Sequence, residues 1–165
     1  MNIWVPYTIF EPETVVALAP YKVNYALMDD DEGYPRFLKR RWKAGQTFLN
    51  IEHDVVFHHG ALEELWTCKR PWCAFAYRPD EIYAEDNHTP VFGCCKFSAA
   101  FIHTTTGVWD AMLENATDRA RNPSGIAVAS NPKWKLCDGW LRQWAKYVLP
   151  RPQFVHQHFP AVQNL

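Results

Sequence analysis

Residues 48–56 read Phe48-Leu49-Asn50-Ile51-Glu52-His53-Asp54-Val55-Val56. A short apolar run passes directly into two acids separated by one residue. The run predicts a strand over residues 48–51, and the acids mark its carboxyl end. Alternate side chains of extended backbone point the same way, so Glu52 and Asp54 can present both carboxylates to one edge.

Working outward, residues 3–7 form a second apolar run. Pro12 opens a helix through residue 19, at a first-turn position where its missing N–H costs nothing, and Pro20 closes it. Residues 23–27 predict a strand that enters the acidic turn Asp29-Asp30-Asp31-Glu32-Gly33. Phe37, Leu38 and Trp42 give residues 34–43 a helical period, and Ala44-Gly45 stops that helix. A helix over residues 60–67 and a strand over residues 72–77 follow. This β-α-β-α-β-α-β alternation predicts an α/β fold: one three-layer, Rossmann-like domain with a mostly parallel sheet flanked by helices. Such sheets bind ligands beyond the carboxyl ends of their strands. That rule sets both acidic turns on one edge.

The remaining chain is less regular. Residues 78–90 are polar and acidic, with Asp80, Glu81, Glu85 and Asp86, and read as a loop over the site edge. Ser98 is placed to cap a short helix through about residue 103. Further helices are expected over residues 108–120 and from Asp138 through residue 147, and a last strand over residues 153–156.

The chain of 165 residues has room for one core of normal size. Its net charge of −1 provides no global basic field, so nucleic acid is not an expected partner. No apolar run reaches the roughly 18 residues of a membrane span. The start, Met1-Asn2-Ile3-Trp4, lacks the pattern of a signal peptide, and five cysteines are expected as reduced thiols in a cytoplasmic protein. Lys39-Arg40-Arg41 reads as a solvated helix face.

Two carboxylates at a strand end suit a hard divalent cation such as Mg²⁺ or Mn²⁺. Such a cation bridges a diphosphate and neutralises charge on a leaving nucleoside diphosphate. The plain alternative is a polar turn. Cys68, Cys73, Cys94 and Cys95 do not match zinc-knuckle spacing and read as buried free thiols. His58 and His59 read as surface residues. His103-Thr104-Thr105 lacks the second element that a two-histidine phosphoesterase needs, and no Gly-rich phosphate loop is present.

The segment from Phe48 to Val56, followed by His58, Gly60 and Leu62, resembles the hydrophobic strand and Asp-x-Asp turn of GT-A fold glycosyltransferases, nearest to small glycosyltransferase-like proteins of bacteria and phages. Val5-Pro6-Tyr7-Thr8, Pro71-Trp72-Cys73-Ala74-Phe75, Gly93-Cys94, Lys96-Phe97-Ser98, Asp138 and the 156–160 tail match in the same order. The resemblance implies that Pro6, Tyr7 and Thr8 lie against a nucleotide and that Asp29 and Asp30 contact its base or ribose. It implies that Glu52 and Asp54 hold the metal, with His156 or His158 as a further ligand. It implies that Gly93-Cys94-Cys95 borders the acceptor and that Asp138 is the catalytic base of an inverting enzyme. The sequence departs from the family at His53, which stands in place of an acid, and at Cys137, where the base motif often has Glu. Residues 1–77 are then the nucleotide-binding half and residues 78–165 a small acceptor half. The expected activity is metal-dependent transfer of a sugar from a nucleotide-diphosphate donor to a glycan, protein or small-molecule acceptor. The alternatives are a non-catalytic nucleotide-sugar or glycan binder of the same fold, or a metal-dependent phosphohydrolase.

Overall fold

The computed structural model describes residues 1–75, 92–125, 136–149, 155–158 and 163–164. The sheet begins with β1 (Ile3–Tyr7), β2 (Val23–Leu27) and β3 (Phe48–Ile51), joined by α1 (Pro12–Leu18) and α2 (Gly33–Ala44). β1 pairs in parallel with β2 and with β3. Pro12 starts α1 as expected, and α2 stops where Gly45 takes a left-handed φ of 67°. A Cβ at Gly45 would meet the His103 ring at 3.0 Å, so both backbone and space call for glycine there.

Beyond β3 come the two-residue β4 (Val55–Val56), α3 (Ala61–Thr67) and β5 (Trp72–Phe75). Then follow β6 (Cys94–Phe97), α4 (Ala99–Thr104), α5 (Val108–Glu114), α6 (Cys137–Val148), β7 (Val155–His158) and β8 (Gln163–Asn164). Ser98 caps α4 by accepting the Phe101 N–H. Strand order is β2-β1-β3-β6-β5-β7, with β4 and β8 in a separate pair.

The sheet corrects the parallel βαβ reading in one respect. β6 lies between β3 and β5 and runs antiparallel to both, so β3 and β5 are not neighbours. A parallel neighbour needs a crossover, usually helical. Residues 78–90 carry no helical period, and an apolar run alone does not state its direction. Two boundaries also shift. The helix expected through residue 120 ends at Glu114, because Asn115 turns left-handed at φ 50°. The strand expected over residues 153–156 is found as Val155–His158, with residues 153 and 154 outside the described residues, and β8 follows it. The acidic loop at 78–90 lies outside the described residues.

Two cores cover the two sheet faces. On one, α2, α4, α5 and α6 bury Phe37, Leu38, Trp42, Phe48, Trp72, Phe97, Trp109 and Trp144. On the other, α1 and α3 bury Ile3, Val5, Leu18, Leu49, Ile51, Leu62, Leu65 and Phe75. The sheet with helices on both faces makes this a mixed α/β fold. Most tryptophans are core, and Trp42 also donates Nε1–H to Thr105 Oγ1 at 2.9 Å. The basic cluster of α2 is engaged in part: Lys39 pairs with Asp110 at 2.5 Å, and the Arg41 guanidinium lies 3.7 Å from the Trp4 ring centroid. No helix among the described residues is long and apolar enough to cross a membrane.

Leu38 is 0% exposed in the middle of α2, whereas Val16 of α1 is 73% exposed. Leu38→Ala is expected to destabilise the fold by about 2–5 kcal/mol in urea unfolding, and Val16→Ala by no more than about 0.5 kcal/mol.

Candidate functional site

The carboxyl ends of β1, β2 and β3 open into a cleft of about 400 Å³. Pro6, Tyr7 and Thr8 line it from β1, Met28 to Asp31 from the turn after β2, and Glu52, His53 and Asp54 from the turn after β3. Tyr34 of α2 also lines it. Among the described residues, the lining runs from Pro6 to Asp54. The structure thus gathers Pro6, Tyr7, Thr8, Asp29, Asp30, Glu52 and Asp54 in one place, because three neighbouring parallel strands end on the same edge.

Among the described residues, five of those lining it are carboxylates, Asp29, Asp30, Asp31, Glu52 and Asp54, and none is lysine or arginine. They are held differently. The Arg36 guanidinium binds Asp30 at 2.5 Å and lies 3.8 Å from Asp29. Asp30 also accepts the Glu32 N–H at 2.8 Å. The Arg36 hydrogen bond holds the Asp30 carboxyl below its ordinary pKa. Asp30 is therefore a turn residue already engaged by a cation. Sequence spacing alone did not show this, since Arg36 reads as part of a helix face.

Glu52 is positioned from below. Tyr34 donates its hydroxyl to Glu52 Oε1 at 2.8 Å, and Asn50 Nδ2 donates to the Tyr34 oxygen at 2.9 Å and to the Phe92 carbonyl at 2.8 Å. The Glu52 N–H reaches the Gly93 carbonyl at 2.7 Å, continuing the β3–β6 ladder past its last pair. Burial, and then the Glu52 charge, push the Tyr34 phenol well above its ordinary pKa. It stays protonated and serves as donor. Tyr34 and Asn50 were invisible as site residues in the sequence, where both look like parts of regular elements.

Asp54 differs. Its Oδ1 is buried and has no hydrogen-bond partner among the described residues. An ionised oxygen in that state is costly unless a cation or donor reaches it. His53 lies beside Thr8, with Nε2 3.4 Å from the hydroxyl. On the rim Phe10, itself 45% exposed, stacks on Tyr7 with centroids 4.0 Å apart, and Tyr25 meets Phe10 edge-on. This aromatic shelf was also missed. Its residues are spread over β1, β2 and the loop between.

Three expected site residues stand elsewhere. Asp138 is in the first turn of α6, accepts the Gly139 N–H at 2.7 Å and is not among the cleft-lining residues. Burial raises its pKa. It lies close enough to Cys95 that its charge and that of Glu52 add to burial in raising that thiol. His158 is likewise outside the cleft lining. Its Nδ1 is 2.5 Å from Glu64 Oε1, and its ring packs on Phe75. His156 sits opposite Cys73 in the β5–β7 register; its side chain is outside the described set.

The cysteine reading needs one correction. Cys94, Cys95 and Cys137 are buried and outside any disulfide, but Cys68 and Cys73 are disulfide-bonded. Cys68 caps α3 in extended backbone, and the turn at residues 69–71 folds back into β5, which brings the two Cα atoms to 6.8 Å. His59 is exposed, whereas His58 is half-buried with its ring edge-on to Phe75.

The site and fold together define a mixed α/β protein with an acidic cleft at its parallel strand ends. Neither a protein-family model nor a curated protein sequence matches the chain. Among solved structures it is similar to a glycosyltransferase involved in the glycosylation of the major capsid of PBCV-1. The two are 14% identical over 97% of this chain and 82% of that one, with a TM-score of 0.47.

Tyr34→Phe removes the donor to Glu52 and the acceptor for Asn50. It is expected to destabilise the fold by about 1–3 kcal/mol in urea unfolding. Asp138 gives a pH test. An acid whose folded pKa is raised stabilises the fold below its unfolded value, and that contribution is lost as pH rises through the folded value. Asp138→Asn is therefore expected to gain stability relative to the parent as the pH is raised from about 3 to about 7, measured by thermal unfolding across that range.

Proposed function

We propose that the cleft binds a nucleoside-diphosphate sugar together with a divalent cation, as the donor site of a glycosyltransferase. One observation carries this reading. Among the described residues, five carboxylates line the cleft and no lysine or arginine lines it with them, and Asp54 Oδ1 is buried without a hydrogen-bond partner. A diphosphate alone would be repelled there. A divalent cation removes the conflict, because it satisfies the orphaned oxygen and attracts the diphosphate together.

Glu52 and Asp54 would hold the ion, and the hard oxygen set suits Mg²⁺ or Mn²⁺. When bound, such an ion neutralises charge on a leaving nucleoside diphosphate. The chain's own residues do the rest. Asn50 and Tyr34 fix Glu52 in place through the buried hydrogen bonds described above. The Tyr7–Phe10 pair offers a flat apolar face for a base. Asp29 and Asp31 border the same cleft and are acceptors for ribose hydroxyls. Arg36 restrains the turn that carries them.

A second reading, binding without turnover, is favoured by Asp138. Its carboxylate bonds the Gly139 N–H and does not line the cleft. Where transfer does occur with Asp138 as base, that carboxylate takes the proton of the attacking acceptor hydroxyl. Release of nucleoside diphosphate from UDP- or GDP-sugars, with and without candidate acceptors, separates the two readings.

Asp54→Asn is expected to keep the parent melting temperature without metal and to lose Mn²⁺-dependent binding of UDP- and GDP-sugars in calorimetric titration. An unchanged affinity in that variant would remove Asp54 from the site and the donor reading with it.

A further inference from the structure

A second group of metal-ligating side chains lies away from the cleft. Cys68, Cys73 and His158 each bring one ligand atom to within 4.8 Å of the others. They come from three elements. Cys68 ends α3, Cys73 is in β5 and His158 is in β7, where residue 158 pairs with Phe75. Cys73 is 0% exposed and His158 7%, so the group is set into the protein and does not hang from its surface.

The surroundings match what a soft-ligand site requires. His158 gives Nδ1 to Glu64, at 2.5 Å from Oε1. A metal-binding imidazole commonly donates its other ring N–H to a carboxylate, which fixes the ring and raises its basicity. Lys96 is buried, lies opposite Cys73 in the β5–β6 register, and donates its ammonium to the Cys68 carbonyl. With both thiols ionised, the two sulfurs and Glu64 carry three negative charges beside the Lys96 ammonium, and the His58 ring lies 3.9 Å from the other Glu64 oxygen. One divalent cation balances that set.

We propose that Cys68, Cys73 and His158 bind one zinc ion once the Cys68–Cys73 disulfide is reduced. Two thiolates and an imidazole suit Zn²⁺, and water takes the fourth position. The switch between the two states is a thiol–disulfide exchange. A dithiol supplies two electrons and two protons, the S–S bond becomes two thiols, and the dithiol leaves as its own disulfide. Metal binding then releases both thiol protons. The oxidised chain holds the end of α3 to β5 by the disulfide. The reduced, loaded chain holds the same two elements and β7 through the metal.

The site is independent of the acidic cleft, and its test reads a different signal. Co²⁺ serves as the probe because thiolate ligation gives a charge-transfer band that an all-oxygen site cannot give. Whole protein reduced with dithiothreitol, freed of excess reductant and titrated anaerobically, is expected to take up one equivalent of Co²⁺ with that band and tetrahedral visible bands. Zn²⁺ should displace it, and the oxidised protein should show neither. Cys68→Ser, at a half-buried helix end, should lose the band. Glu64→Gln should keep the band and weaken Co²⁺ binding about 10- to 100-fold. No charge-transfer band in the reduced parent, or a band that survives both Cys68→Ser and His158→Gln, would overturn the proposal. Survival would assign the sulfur ligation to a set that needs neither Cys68 nor His158.

Discussion

The hydrogen-bond chain from Asn50 through Tyr34 to Glu52 is the constraint on which the cleft depends. Asn50 is fully buried in β3, and its amide ties together α2, the Phe92 carbonyl and the strand itself. The Tyr34 phenol accepts from one side and donates to the other. A single buried polar chain thus joins the packing of α2 to the position of a carboxylate at the strand end. Partly satisfied, such a chain would be a liability in the core. Here the Tyr34 hydroxyl and the Asn50 Nδ2 are satisfied and fix where Glu52 sits, while Asn50 Oδ1 and the neighbouring Asp54 Oδ1 have no hydrogen-bond partner among the described residues. The contrast between these two acids, one held by a phenol and one open, gives the cleft its chemical character.

Much of the fold was legible because its first half obeys simple patterns. Pro12 and Gly45 bound their helices where the sequence places them, and the runs 3–7, 23–27 and 48–51 are strands as read. The edge shared by the two acidic turns followed from parallel topology alone. What was not legible depends on contacts between distant residues. The direction of β6 is set by its partners β3 and β5, not by its own four residues. The end of α5 is set by one asparagine that turns left-handed. The engagement of Asp30 by Arg36 spans the start of a helix, and the sequence offers many such charge pairs with no geometry behind them.

The same limit applies to the site. Pro6, Tyr7, Thr8, Asp29, Asp30, Glu52 and Asp54 come together because each ends or follows a neighbouring strand. Tyr34 enters the cleft from a helix whose period marks it only as core. Asp138 and His158 were assigned from a motif and a late histidine, and their immediate partners are Gly139 and Glu64. Cysteine spacing argued against a zinc knuckle, and the expected cytoplasmic setting against a disulfide, for Cys68 and Cys73. It is the reversal between α3 and β5 that brings them together, and β7 that adds His158. The molecule therefore carries two chemically distinct clusters, an oxygen-rich cleft at the ends of β1 to β3 and a sulfur–imidazole group beside β5 and β7.

The central claim is that Glu52 and Asp54 converge on one divalent cation in the cleft. Anomalous diffraction at the manganese edge, from crystals soaked with Mn²⁺ and UDP, tests it directly. The account predicts a single strong peak in contact with Asp54 Oδ1 and the UDP phosphates, with the Tyr34–Glu52 hydrogen bond retained. UDP bound elsewhere, or a cleft without an anomalous peak at saturating Mn²⁺, would contradict it.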